Sequence, residues 1–411
     1  MMQSSIARAS TSSFTIALAA LGTTNAAADT RVEVRVSADA GYETNAFLLD
    51  NEQSGAFSAS VEVEPTVFIE DERSTFRITG SVRLPQYNEG LGLDDSYRLS
   101  AGGQTRLDER TTLNANARFQ SSRSLLQYNL NNLLGDPLLL EPGEFPEVEF
   151  IDPTLAGVRG RNNATGLDAS VSRVLSPRDS LSVGVSARQR TTEQFNGRDY
   201  REAGLNLGWG HQLTPRSSLQ ASVQASKADY LDQSIGDGKF VTSLIGVQYQ
   251  LSPTMDATGQ VGASYTSIEG PEGSNVSSFG FAANGSLCRR GSQSSLCVNA
   301  GRRASPTTYA GIRTTTTIAG SYSRALSEFD RLSVSASYAR ADQIDQDWLG
   351  FETDGSEEIY GASAQWRRYF TDRLSGYLRG SYSNTNGRSR QNSDGNLQAL
   401  IGISYTFGET R

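Results

Sequence analysis

Lysine is almost missing from this chain: of 37 basic residues, only Lys227 and Lys239 are not arginine. Histidine occurs once, at 211, and cysteine twice, at 288 and 297. A zinc site needs several His or Cys ligands close together, and none are here. No phosphate loop, calcium loop or paired-histidine motif is present, so neither a metal nor a cofactor is expected. The net charge of −8 argues against nucleic acid as a partner. Beyond the N-terminus no run of 18 apolar residues appears, so no transmembrane helix is expected. Helical periodicity is nearly absent as well, which is unusual for a soluble protein of 411 residues.

What is present is alternation. Leu181, Val183, Val185 and Ala187 are separated by Ser182, Gly184 and Ser186. Leu219, Ala221, Val223 and Ala225 are separated by Gln220, Ser222 and Gln224. A period of two marks a strand with one apolar and one polar face. The alternating stretches are tied together by a repeat. Leu175-Ser176-Pro177, Leu213-Thr214-Pro215 and Leu251-Ser252-Pro253 follow one another at intervals of 38 residues. Proline presets a turn and cannot donate to a ladder, so each of these phrases separates two strands. One interval then holds two strands, a tight turn and a longer loop. Tilted membrane strands need about 9–11 residues, which the interval accommodates. The pattern predicts an all-β protein: a transmembrane antiparallel β-barrel of eighteen strands, with sixteen as the second choice. A secreted solenoid or sandwich is the alternative, but it lacks the asymmetry between short turns and long loops.

Residues 1–28 read as a signal peptide, with Arg8, an apolar core from Phe14 to Leu21 and a small-residue cleavage site at Ala26-Ala27-Ala28. Residues 29–411 make the barrel. Short turns are expected near 71, 109, 177, 215, 253, 291, 328 and 372, on the periplasmic side. The longer loops between them face outward, and an even strand number leaves both termini in the periplasm. Export plus a barrel points to the outer membrane of a Gram-negative cell, with its lipid as the surrounding partner. No plug domain or helical-repeat scaffold is expected ahead of the barrel.

If the apolar parity faces lipid, the other parity lines a hydrated lumen. Arg77, Arg83, Arg98, Arg118, Arg188, Arg190, Arg303, Arg367 and Arg379 fall on it, with Glu33, Asp39, Glu62, Glu64, Asp168 and Asp256. Guanidinium groups grip carboxylates and phosphates bidentately. These rows either guide an anionic molecule or pair with the wall carboxylates; both readings stand. The insert at 121–163 is too long for a plain connector. It holds a leucine-rich segment and then an acidic run of Glu141, Glu144, Glu147, Glu149 and Asp152. It either folds into the lumen as a constriction or packs on neighbouring loops as a lid. Replacing Glu147 and Glu149 by Gln changes ion selectivity only in the first case.

Cys288 and Cys297 flank one turn symmetrically and share a face, so a hairpin brings them to disulfide distance in the oxidising periplasm. His211 lies at the periplasmic end with lipid-facing parity, an interfacial position rather than a catalytic one. No enzyme is expected. Near the C-terminus, Gly402, Tyr405 and Phe407 resemble the signal by which the barrel-assembly machinery recognises outer-membrane proteins. Leu400 replaces the usual polar residue, and four residues follow Phe407.

Near the N-terminus, Gly41-Tyr42-Glu43-Thr44-Asn45-Ala46-Phe47 is similar to a segment of the beta-barrel porin 2 family, with Glu43 in place of the usual Asp. That resemblance implies an outer-membrane channel for exopolysaccharide export, working with periplasmic polysaccharide-export proteins. The residues themselves leave two alternatives open: a general or substrate-specific diffusion porin for small solutes, and a structural or adhesive barrel without transport.

Overall fold

In the computed structural model, residues 29–46, 55–88, 92–123, 160–193, 199–231, 237–269, 275–307, 311–343, 356–386 and 395–408 are described. The signal peptide and the acidic run Glu141–Asp152 lie outside them. The strands are β1 (Asp29–Glu43), β2 (Ala56–Glu70), β3 (Ser74–Tyr87), a two-residue β4 (Gly92–Leu93), β5 (Ser96–Arg106) and β6 (Thr111–Ser122). After the insert come β7 (Asn162–Val174), β8 (Asp179–Thr192), β9 (Tyr200–Thr214), β10 (Ser217–Tyr230), β11 (Gly238–Ser252) and β12 (Met255–Glu269). The last are β13 (Asn275–Arg290), β14 (Ser294–Thr307), β15 (Gly311–Ala325), β16 (Asp330–Gln343), β17 (Glu357–Tyr369), β18 (Leu374–Asn386) and β19 (Asn396–Gly408). Apart from β4, which pairs only with the end of β3, eighteen antiparallel strands run in chain order. β1 pairs with β19 and closes the ring.

Most turns at the short-loop rim are built alike. A side-chain oxygen two residues before an arginine accepts that arginine's backbone N–H. Asp71 does so for Arg73, Asp108 for Arg110, Ser176 for Arg178, Thr214 for Arg216 and Thr371 for Arg373. These side chains mimic a backbone acceptor and stop the ladder. At Asp108, the N–H of Arg110 holds the carboxyl below its usual range. β1 begins and β19 ends at this rim, since Asp29 pairs with Glu70 and Glu33 with Gly408.

The fold has no conventional interior. Large apolar side chains stand exposed on the outside of the long strands, Val61, Val185, Ile245, Val261 and Ile403 among them. Water would not tolerate such a belt, but lipid does. Exposed Tyr42, Tyr97, Tyr265 and Tyr360 lie toward the long-loop ends; Trp209, Tyr249 and Tyr405 lie toward the short turns. These are the two levels at which amphipathic rings meet headgroups. His211 belongs to the second level: it stacks on Trp209 and its Nδ1 is 2.8 Å from Asp179 Oδ1 at the turn.

One seam is unlike the others. β13 pairs with β12 along its whole length, from Glu269↔Asn275 to Met255↔Arg289. Its pairing with β14 stops at Ala283↔Arg302. Above that point β14 stays paired with β15 up to Thr307↔Gly311 and β15 with β16 up to Arg313↔Gln343, so the sheet parts between β13 and β14 and the upper end of β14 turns into the lumen. Residues of both parities from Ala304 to Thr307 are therefore buried. Tyr230 at the top of β10 donates its hydroxyl to the Thr307 carbonyl, 3.2 Å away. Ile312 lies over Gly238 of β11 so closely that a β-carbon there would collide with it. The inward turn has its physical reason in a receiving surface. Tyr200, Ala228, Tyr230, Phe240 and Ile268 make an apolar patch on the lumen side of β9–β12, against which Ala304 and Ile312 bury.

Cys288 and Cys297 are bonded across this shortened seam, near its turn. A cross-link closing so short a loop contributes about 2.5 kcal/mol in the chain-entropy account. The Cys288→Ser, Cys297→Ser double variant is expected to unfold at a temperature several degrees lower, read from the heat-dependent gel mobility of the barrel. An unchanged transition would mean that the seam does not limit stability.

Candidate functional site: the lumen wall

All nine arginines singled out above fall on the lumen parity of their strands, as the strand registers place them. Their surroundings divide them. On β1–β3 and β17–β19 the groups satisfy one another. Arg35 meets Glu64 at 2.8 Å and Arg83 meets Asp39 at 3.5 Å. Arg77 and Arg31 both lie over the Phe68 ring. Arg379 donates to Gln365, and Arg367 lies over Tyr377. Tyr377 reaches across β19 to donate to Asp39 on β1 at 3.2 Å. Gly402 lies beneath its ring, and a β-carbon there would collide with it. The absence of a side chain at Gly402 thus admits a cross-seam tyrosine.

Around one cavity, arginines outnumber carboxylates among the described residues. Arg98, Arg118, Arg188, Arg190 and Arg303 line one cavity of about 550 Å³. Glu202, opposite Arg188 in the ladder, is the carboxylate on that lining among the described residues. Arg118 also meets Asp168 at 3.4 Å. The Nε of Arg188 is buried with no hydrogen-bond partner. The bent β14–β15 end supplies Arg303, Ala304, Ser305 and Pro306 to the same cavity. A second cavity, of about 620 Å³, lies between β9–β12 and β13–β15 and reaches Asp256, Arg290 and Arg303. The narrowing element among the described residues is therefore the β14–β15 hairpin, which alternation alone could not distinguish from wall.

The two ends of the long insert are fastened at the outer mouth. Asp95 takes Arg123 at 2.9 Å and Arg161 at 2.6 Å, and Gly160 donates its N–H to the Arg123 carbonyl. Burial works against ionisation of Asp95, but the hydrogen bonds from Arg161 and Tyr97 outweigh it and hold the carboxyl below its usual range. The clasp is thus fully formed above the ordinary aspartate pKa of about 3.9 and is lost as pH falls through the lowered value. Asp95→Asn is expected to speed cleavage by chymotrypsin between 124 and 159, a segment rich in Leu with Tyr128, Phe145 and Phe150, at neutral pH. An unchanged rate would show that other contacts hold the insert.

The motif behind the family resemblance lies at the closing seam. The Glu43 carboxylate accepts from Tyr87 Oη at 3.1 Å, Asn396 Nδ2 at 3.0 Å and Gln398 Nε2 at 2.8 Å. Asn45 donates its N–H to Asn396, and Leu397 donates its N–H to the Thr44 hydroxyl. Tyr42 packs on Phe57. The segment joins β1, β3 and β19 at the long-loop rim.

No family model matches the chain, and no characterised protein matches it in sequence. Solved structures do resemble it in shape. The FrpB iron transporter of Neisseria meningitidis is 8% identical with a TM-score of 0.48, covering 92% of this chain and 83% of that one. OprD of Pseudomonas aeruginosa is 10% identical with a TM-score of 0.43, over 93% and 96%. A BenF-like porin of Pseudomonas fluorescens is 10% identical with a TM-score of 0.46, over 93% and 99%. The class follows from the barrel's own geometry: closed, apolar outside and polar inside, with one short-turn rim. It is a porin-like barrel of the outer membrane.

Proposed function

We propose that this protein is a diffusion channel selective for small anionic solutes, carboxylates foremost. The observation that carries this reading is one cavity lined by four arginines of β5–β8 and Arg303 of β14, with Glu202 the one carboxylate on its lining among the described residues. Guanidinium forks in a confined space favour bidentate anions and concentrate them at the mouth. The size of the cavities supports a small solute. With the β14–β15 end standing in the lumen, the spaces beside it are about 550 and 620 Å³. The export of exopolysaccharide, implied by the family resemblance, draws on the same arginines, but a polymer needs a continuous wide path. Nothing described in the lumen adds support for it.

The test is ion selectivity in planar bilayers under a salt gradient. A reversal potential on the anion side, with conductance blocked by millimolar small dicarboxylates, is the expected result. Cation preference would overturn the proposal. A deletion strain separates the two transport readings. Poor growth on limiting carboxylates with unchanged glycan in the medium is expected; normal growth with glycan retained in the periplasm would favour export.

A further inference from the structure

We propose that the outside of β9–β11, at the long-loop rim, binds a phosphorylated glycolipid of the outer leaflet. Its phosphates meet Arg201, Lys227 and Lys239, and its acyl chains lie on the apolar wall beneath. The site is on the lipid face of the barrel and is independent of the reading of the lumen.

The starting observation is where the lysines are. Of 37 basic residues only two are lysine, and they stand directly opposite each other, Lys227 of β10 against Lys239 of β11. Both have the lipid-facing parity of Val223 and Val241, and both are exposed. Arg201 on the adjacent β9 shares the lipid-facing parity of Leu205 and is exposed as well. Their height follows from the strands. From Tyr249, in the aromatic level near the short turns, to Lys239 is ten residues of β11. At about 3.3 Å per residue and a tilt of about 40° the rise is about 25 Å, the height of the apolar band. Tyr265, an aromatic of the upper level, lies opposite Val241, one lipid-facing step below Lys239. The cations therefore stand where acyl chains end and headgroups begin.

Like charges opposed in a ladder are unfavourable, so the lysine pair calls for anions. The chain supplies some. Lys227 meets Asp229 and, at 3.2 Å, Asp237; Lys239 meets Glu269 at 3.0 Å. Formal charge on the patch is then balanced, but hydrogen-bonding capacity is not. An ammonium has three N–H donors and a guanidinium five. Lys227 uses two on these carboxylates and Lys239 one. Arg201 lies opposite Asp229 in the ladder, yet Asp229 turns to Lys227, and Arg201 has no partner among the described residues. The carboxylates also stand further out. Asp229 and Asp237 are each one lipid-facing step beyond the lysine they hold, and Glu269 is one beyond Ser267, which faces Lys239. An anion at the top of the acyl layer meets the ammonium groups first. Exposed ion pairs are weak, and a phosphate brings more charge and three acceptor oxygens to the same donors.

A second charged patch at this rim shows the contrast. Arg340 bridges Asp342 and Glu358, and Arg302 is held by Asp342 and Thr316. Both cations there are engaged.

The ligand class follows from spacing and surroundings. From β9 to β11 is two interstrand spacings, roughly 10 Å. Arg201 and the lysine pair thus suit two phosphates on one head better than the single phosphate of a phospholipid. Beneath them Leu205, Leu207, Val223 and Ile245 are exposed on the same three strands and receive acyl chains. A soluble anion would use the cations and not the wall; an uncharged lipid would use the wall and not the cations.

The probe is lipid A, an acylated glucosamine disaccharide with two phosphates, titrated into the lipid-free barrel in detergent and counted by native mass spectrometry. Wild type is expected to bind it about tenfold more tightly than dephosphorylated lipid A or phosphatidylglycerol. Arg201→Gln with Lys227→Gln and Lys239→Gln should lose that advantage. Lys227→Arg with Lys239→Arg, which keeps the charges, and Arg340→Gln, in the second patch, should bind as wild type does. Heat-dependent gel mobility shows whether each variant is a closed barrel. Should the triple variant not close, Lys239→Gln alone carries the test: it removes a like-charge opposition from the ladder and should still weaken lipid A binding several-fold. Lipid A binding by the closed triple variant, or by Lys239→Gln, equal to wild type would overturn the proposal. So would equal affinity of wild type for phosphorylated and dephosphorylated lipid A. Equal affinity for phosphatidylglycerol would overturn it too, since the face would then take any anionic lipid.

Discussion

Arg188→Glu combined with Arg190→Glu is expected to abolish anion preference. The double change leaves as many carboxylates as guanidinium groups on the cavity lining, three of each. Each reversal alters the local charge by two units. At a separation of 4 Å one unit is worth about 1 kcal/mol in water and about 4 kcal/mol at an effective dielectric of 20. A hydrated lumen lies toward the lower figure, so a fall of about tenfold in the chloride-to-potassium permeability ratio is a conservative expectation. Stability should suffer little. Glu at 188 faces Glu202 directly, and like charges across a ladder cost roughly 0.2–1 kcal/mol. Arg35→Gln is the control. Arg35 is also a lumen arginine, but it is neutralised by Glu64 at 2.8 Å, so its loss should leave selectivity nearly unchanged. If both variants shift the reversal potential equally, lining that cavity gives an arginine no special weight in selectivity.

Glu43→Ala is expected to give the largest loss of folded barrel. Glu43 is 1% exposed and accepts from three side chains on two other strands. Removing it strands the Tyr87 hydroxyl and two amide groups in a site without water access. Each buried donor left without its acceptor costs about 1–3 kcal/mol, so a loss of about 3–5 kcal/mol is expected. The measurement is the fraction of chain showing the compact, heat-sensitive gel mobility of a closed barrel. Glu43→Asp keeps the carboxyl group and should retain much of that fraction. If Glu43→Ala folds as well as wild type, the rim network is not what closes the ring.

Much of the architecture was legible because a barrel repeats one rule. Lipid outside and water inside force a period of two on every strand, so Leu181 to Ala187 announce a strand without any neighbour being known. The Ser–Pro and Thr–Pro phrases announce turns for an equally local reason: their hydroxyls accept backbone N–H groups two residues on. Parity likewise placed the nine arginines on the lumen side. It could not say which of them pair. Asp39 takes Arg83 from two strands away and meets Tyr377 only through the closing of the ring, 338 residues along the chain. The bend of β14–β15 was hidden for a sharper reason. Arg303 to Thr307 alternate as wall residues do, and their departure depends on an apolar patch assembled from four other strands. That patch did leave a trace: Tyr200, Tyr230, Phe240 and Ile268 are apolar at lumen parity, against the rule of that face. The Gly-Tyr-Glu-Thr-Asn segment carries a family likeness in the sequence, and its contacts, which only the folded ring brings together, are those of ring closure.

The Glu43 network also orders events in time. Every other long-strand seam except that flanking the insert joins strands close in the chain, and each can form as its hairpin is made. Glu43 must wait for Asn396, 353 residues later. Contacts of such separation form slowly, because the chain between them must already be arranged. Until then β1 and β19 are both open edges, the state most prone to wrong pairing. β19 is the strand that carries Gly402, Tyr405 and Phe407, so the edge that waits longest is also the one that resembles an address. Mutations that weaken the rim network should therefore lengthen the lifetime of an unclosed intermediate before they alter the finished channel.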